Sequence, residues 1–236
     1  MTFSMRRVRA IITKDWKDLL KNSYILVSIL LPLGFAAMLS RMSTDDSSML
    51  SMPINLALVM TGAFVQASMM AEEKERSTLR VLLLSPASTL EIMIGKSVLS
   101  AIITLIVVIG SIFISGINIP ELFFFSIMVL LSLIIFISLG TIIGLISRTV
   151  METSIVGLPI LIIFTYGSML SSMFDSPIIT KSISYLPTEN FSTALMSLQG
   201  SGGFTEIKWN LLNMLLWTIC SVILAIFIYG KRRFDK

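Results

Sequence analysis

Residues 71–96 read AEEKERSTLRVLLLSPASTLEIMIGK. Strongly apolar sequence flanks the stretch on both sides, and it holds most of the charge found between Asp46 and Glu121. A dense charged block, then a proline, then a return to apolar residues is the pattern of a turn between two membrane spans. The same alternation, followed outward in both directions, organises the whole chain.

The sequence is 55% hydrophobic and only 14% charged, where soluble domains carry roughly 25% charged residues. A soluble core of this size cannot hide so much apolar surface. The expected class is an all-α polytopic membrane protein, with 1–236 forming one transmembrane domain. There is no histidine and one cysteine, Cys220. An intrachain disulfide is therefore excluded, and the commonest general base and zinc ligand are missing.

A spanning helix needs about 20 mostly apolar residues. Six segments qualify: 23–40, 53–71, 90–116, 121–146, 154–173 and 209–230. If all six cross, fifteen of the eighteen Lys and Arg residues fall on one side, and only Arg41, Lys181 and Lys208 on the other. The positive-inside bias then places both termini in the cytoplasm.

Before the first span, residues 1–22 place Met5, Val8, Ile12, Trp16 and Leu19 at helical spacing, with Arg6, Arg9 and Lys17 among the basic residues between them. This reads as an amphipathic helix on the cytoplasmic face, with Trp16 at headgroup level. Its basic region is too long for a signal peptide, and GFAAMLS is a poor cleavage site. The long outer connection, 174–208, contains LPTENFSTALMSLQG, with Thr188 or Asn190 as a candidate cap. Phe191, Leu195 and Leu198 then give an amphipathic turn or two, expected as a re-entrant or interfacial helix on the outer side.

Two motifs are decoys. Gly95-Lys96-Ser97 resembles the end of a phosphate-binding loop, but position 90 is Leu where that loop needs Gly. Lys96 is expected to snorkel to the membrane interface. Glu72-Glu73-Lys74-Glu75-Arg76 resembles the paired glutamates of intramembrane proteases, but no histidine exists to complete such a site. Glu91, Glu121 and Glu152 lie at expected span ends rather than midplanes, which disfavours a proton- or sodium-coupled carrier.

The opening stretch itself can be resolved further. Glu72 to Arg80 can extend the second span as a charged helix, with Glu72 and Arg76 as helical neighbours. Leu79, Leu82 and Leu83 form a short apolar face. Pro86 stops the helix, and Ser88 with Glu91 makes a capping box for the next span. Segment 72–88 is thus a cytoplasmic knuckle with an apolar tip among charges, suited to docking a partner.

Written E-E-K-E-R-S-T-L-R-V-L-L-L-S-P-A-S and followed by E-I-M-I-G-K, this stretch resembles the cytoplasmic segment of type-2 ABC transporter permeases. Ser77 stands where that family often has Gly before the Thr. The amphipathic N-terminal helix, the six spans and the element SYLPTENFSTALMSL before the last span extend the resemblance along the chain. It implies a permease without an ATPase site of its own or a bound cofactor, paired with a cytoplasmic ATP-binding subunit that carries ATP and Mg, and with a second permease chain, identical or not. Glu72, Glu73, Glu75, Arg76, Thr78, Leu79, Leu82, Leu83 and Pro86 would couple ATPase closure to the spans, helped by the N-terminal helix. Spans one and five would meet at a dimer seam, where Phe35, Met38, Phe164, Tyr166 and Met169 would line the substrate path. The implied role is export of an amphipathic cargo, such as an antimicrobial or toxin peptide, a drug or a lipid-like molecule, across a bacterial plasma membrane. The alternative is a carrier or ion-efflux channel that works without an ATPase.

Overall fold

The computed structural model describes residues 5–19, 22–41, 51–75, 89–119, 121–173, 176–200 and 202–232, and the regular elements among them are all helical. In chain order they are α1 (Met5–Leu19), α2 (Ser23–Leu39), α3 (Met52–Glu75), α4 (Thr89–Ser115), α5 (Leu122–Ile146), α6 (Val150–Met173), α7 (Pro177–Ile183), α8 (Pro187–Gln199) and α9 (Phe204–Arg232). Helices α2, α3, α4, α5, α6 and α9 run alternately between two ends of the bundle. One end, here the charged end, gathers α1 with Lys74, Lys96, Arg148 and the end of α9. The other, the far end, carries α7 and α8.

Five of these helices are long and apolar enough to cross a membrane, and α2 contributes a shorter apolar stretch, Ile25–Leu39. At 1.5 Å per residue the 17 residues of α2 rise about 25 Å, less than a hydrocarbon core of about 30 Å. Several other helices overrun the expected spans: α3 continues four residues past Ala71, α6 starts at Val150 and α9 starts at Phe204.

Helix α3 is the axis of the bundle. Of its apolar window 94% is buried, against 17% for α9. It packs against α2, α4, α5 and α6, and its middle is accordingly apolar on almost every side, as a surrounded helix must be. Its middle, Ala57–Phe64, is wound as a π-helix. Small residues let α5 approach its backbone closely. A Cβ on Gly140 would stand 2.2 Å from the Ala63 carbonyl oxygen, and one on Gly144 would stand 2.5 Å from that of Ala67. The spacing Gly-x-x-x-Gly on α5 thus meets Ala-x-x-x-Ala on α3. Gln66 ties the same region together: its amide donates to Thr141 Oγ1 on α5 at 3.0 Å and accepts from Ser100 Oγ on α4 at 2.6 Å.

At the far end, α7 and α8 dip into the apolar layer. The indole of Trp217, thirteen residues into α9, donates to the Tyr185 carbonyl at 2.8 Å in the turn between α7 and α8. That turn therefore lies about 20 Å along α9 from its start, well below the bundle surface. Backbone at such depth must be satisfied by protein. Asn190 Nδ2 does this for the carbonyls of Ser184 and Leu186, at 3.0 and 2.8 Å. Phe191, Ala194, Leu195 and Leu198 are buried against the neighbouring helices, so the apolar face expected of a re-entrant or interfacial helix is turned into the bundle. Its cap differs from expectation. Leu186 occupies the N-cap and Pro187 opens the helix, because a proline needs no N–H partner in the first turn. Thr188, freed from capping, donates its hydroxyl to the Phe164 carbonyl. Helix α6 leaves helical geometry at Tyr166 (φ −117°, ψ 22°). The break therefore lies where a side chain enters the hydrogen-bond ladder and not at Pro159.

Candidate functional site

Four consecutive residues at the charged end of α3 reach four different places. Glu72 Oε2 accepts from Asn22 Nδ2, just before α2, at 3.4 Å. Glu73 is buried and binds Lys96 Nζ of α4 at 3.1 Å, as well as Lys14 of α1. Lys74 donates to the Leu145 carbonyl at 2.6 Å and to that of Ser147, at the C-terminal end of α5. Glu75 Oε2 accepts the Val150 N–H at 3.0 Å, in the first turn of α6. A cation on terminal carbonyls and a carboxylate on first-turn amides both match the helix dipoles they face. The block is dense because successive residues on one helix point about 100° apart, so four in a row cover the full circumference of an axial helix.

Lys96 is the centre of this junction. It is 1% exposed and binds both Glu73 Oε1 and Asp15 Oδ2 at 3.1 Å. The expectation that it snorkels to the interface is corrected here: α1 lies over it and supplies the second carboxylate. Three charges are tolerated in the interior only because each is paired. Helix α1 thus adds a buried charge to its bundle-facing side. Ile12 and Asp15 face the bundle, whereas Met5 and Trp16 are exposed, along with Arg6, Arg9 and Lys17.

The carboxylates expected to meet a partner are therefore engaged within the chain. Arg76, Thr78, Leu79, Leu82, Leu83, Pro86 and Ser88 lie outside the described residues. The turn between α5 and α6 adds a feature that sequence reading missed. Thr149 Oγ1 accepts the Glu152 N–H at 3.1 Å, and Glu152 Oε2 accepts the Arg148 N–H at 2.6 Å. The signal is T-x-x-E at 149–152, a capping-box spacing, hidden because apolar composition alone starts the span at Ser154.

Of the residues expected on a substrate path, Met38 and Met169 are exposed, and Phe35 and Tyr166 are partly so. Phe164 is not on a free surface. It is buried between Phe136 and Trp217, with ring centroids 5.8 Å from each. Helices α2 and α6 each pack on α3. A further residue carries no signal in the sequence, Glu189. Its Oε1 lies 3.9 Å from where a Gly167 Cβ would stand, beside the α6 break. The carboxylate is half-buried and follows Thr188, which donates to the Phe164 carbonyl; the Phe164 ring packs on Phe136, midway along α5, so Glu189 lies well inside the bundle.

No curated protein matches the chain. The family model described as ABC-2 family transporter protein matches residues 42–227, a region that runs from before α3 to the last turns of α9 and so takes in the axial helix, its charged end and the re-entrant pair. This chain, a multi-pass membrane protein, belongs to the ABC-2 transporter family as a permease subunit.

Proposed function

We propose that the chain is the membrane half of an ATP-driven exporter, with its charged end in the cytoplasm and residues 76–88 docked on a separate ATP-binding subunit that carries ATP and Mg. The observation that supports this reading is the junction at the end of α3. Segment 76–88 follows it directly in sequence, and Glu72, Glu73, Lys74 and Glu75 bind the start of α2, α1 with α4, α5, and α6 respectively. A force applied to 76–88 is thereby delivered to the axial helix and its neighbours together. Two permease chains would meet through α2 and α6, with Phe35, Met38, Tyr166 and Met169 toward the seam. The cargo would be amphipathic, such as a peptide, a drug or a lipid-like molecule, in a bacterial plasma membrane.

Glu189 favours a second reading, a carrier or ion-efflux channel independent of ATPase, because a carboxylate in the apolar layer is a common device for moving cations. The two readings separate on nucleotide. The chain is purified from its native membrane in mild detergent and ATPase activity is measured on the eluate. Co-purified ATPase activity, lost in a Leu82→Asp/Leu83→Asp variant whose thermal unfolding is unchanged, supports the exporter. An eluate without ATPase, from a chain whose transport in vesicles is indifferent to nucleotide and abolished by Glu189→Gln, supports the carrier.

A further inference from the structure

Helices α4 and α5 are joined by a short turn, with Gly116 in left-handed geometry at φ +67°, yet they barely pack on each other. Each turns instead toward its own partners: α4 toward α1, α2 and α3, and α5 toward α3 and α9. The divergence leaves a half-open groove of about 460 Å³ between them, lined by Leu105, Ile109 and Phe113 on α4 and by Leu122, Ser126 and Leu130 on α5, among others. The lining is apolar apart from Ser126, whose hydroxyl donates to the Leu122 carbonyl of its own helix at 2.7 Å.

We propose that this groove is a binding site for one acyl chain of a bilayer phospholipid from the far-end leaflet. Its depth fits. From Phe113 to Leu105, and from Leu122 to Leu130, the groove runs about 12 Å inward, close to half of a hydrocarbon core of about 30 Å. Its mouth lies at the turn bearing Asn118 and Glu121, both exposed, at the height of a headgroup. Its volume also fits. An apolar cavity of about 150 Å³ holds benzene, so about three times that volume holds roughly 18 carbon atoms.

The chain's own remaining segments do not fit. Residues 76–88 leave from the other end of the bundle, and of the nine residues 42–50 at the far end, six are Ser, Thr or Asp. An apolar groove at this depth left empty would forfeit dispersion contacts along both walls. An acyl chain supplies those contacts and holds α4 and α5 apart.

The test places the purified chain in lipid nanodiscs containing a phospholipid with a photoreactive diazirine midway along one acyl chain, and maps adducts by peptide mass spectrometry. Adducts on 105–113 and 122–130 should exceed those on the exposed 219–227 face of α9 several-fold. Ser126→Phe, which fills the groove from an exposed position, should cut groove adducts at least threefold and leave those on α9 unchanged. Leu130→Trp provides a second filling variant should Ser126→Phe fold poorly. Even labelling across exposed helices, indifference to both filling variants, or chemical crosslinks joining the groove to a second copy would each overturn the proposal.

Discussion

Lys96→Met removes an ammonium shared by two buried carboxylates. Asp15 Oδ2 and Glu73 Oε1 each lie 3.1 Å from Lys96 Nζ. The two oxygens are thus within about 6 Å of each other, where like charges repel by about 3 kcal/mol at an effective dielectric constant of 20. Lys14, 44% exposed, also binds Glu73 and relieves part of this. Breaking a buried charge network from one side costs about 3–5 kcal/mol, and the two figures agree. For a chain of this size that corresponds to a fall in Tm on the order of 10 °C. The network as a whole is not where the stability lies, because a buried ionic group replaced entirely by neutral groups is often close to neutral in effect. The triple variant Asp15→Asn, Glu73→Gln, Lys96→Met should therefore recover most of the loss. Thermal unfolding in nanodiscs, followed by tryptophan fluorescence, reads both. A Lys96→Met chain as stable as the parent, or a triple variant as unstable as the single one, would refute the reasoning.

The packing and the charge distribution give three further outcomes. Gly140→Ala places a methyl group 2.2 Å from the Ala63 carbonyl oxygen and should cost about 1–3 kcal/mol or more by overpacking; Gly34→Ala, with nothing within 4 Å, should cost almost nothing in the same unfolding assay. Gln66→Leu removes two interhelical hydrogen bonds, which within membranes average about 0.6 kcal/mol each, so its effect should be about 1 kcal/mol and clearly smaller than that of Lys96→Met. In a Cys220→Ser background, a membrane-impermeant maleimide applied to intact cells should label Lys181→Cys and not Arg148→Cys; the reverse pattern would invert the orientation.

How much is legible in the sequence depends on which physical signal each element carries. The long apolar helices announce themselves by length and hydropathy, because lipid leaves the backbone few options. Their ends are less legible. Helix α3 extends past its apolar segment on charged residues that bind neighbouring helices, as at Lys74, and α9 starts five residues before its expected span. The charged block stands out as a special stretch, but its inward function does not. Knowing that Glu72 to Glu75 grip surrounding helices requires knowing that α3 is the axis, and that is a property of packing rather than of pattern. Lys96 misleads for the same reason: a lysine at a helix end snorkels unless another element covers it, and the Asp15 that does so lies 81 residues away. Phe164 has the look of a path-lining aromatic until Phe136 and Trp217 enclose it. Glu189 reads as a loop carboxylate because its segment is too short to score as a span, although the fold carries it into the apolar layer.

In the proposed exporter, the charged end of α3 hands a cytoplasmic partner's motion to the bundle through 76–88. The most direct measurement places a photo-crosslinking amino acid at position 82, and separately at position 185 in the far-end turn, in native membranes. Position 82 should give an adduct with a soluble protein that itself photolabels with an azido-ATP analogue, and position 185 should give none. An ATP-binding adduct from position 185, or none from either position in a chain that still transports, would contradict the claim.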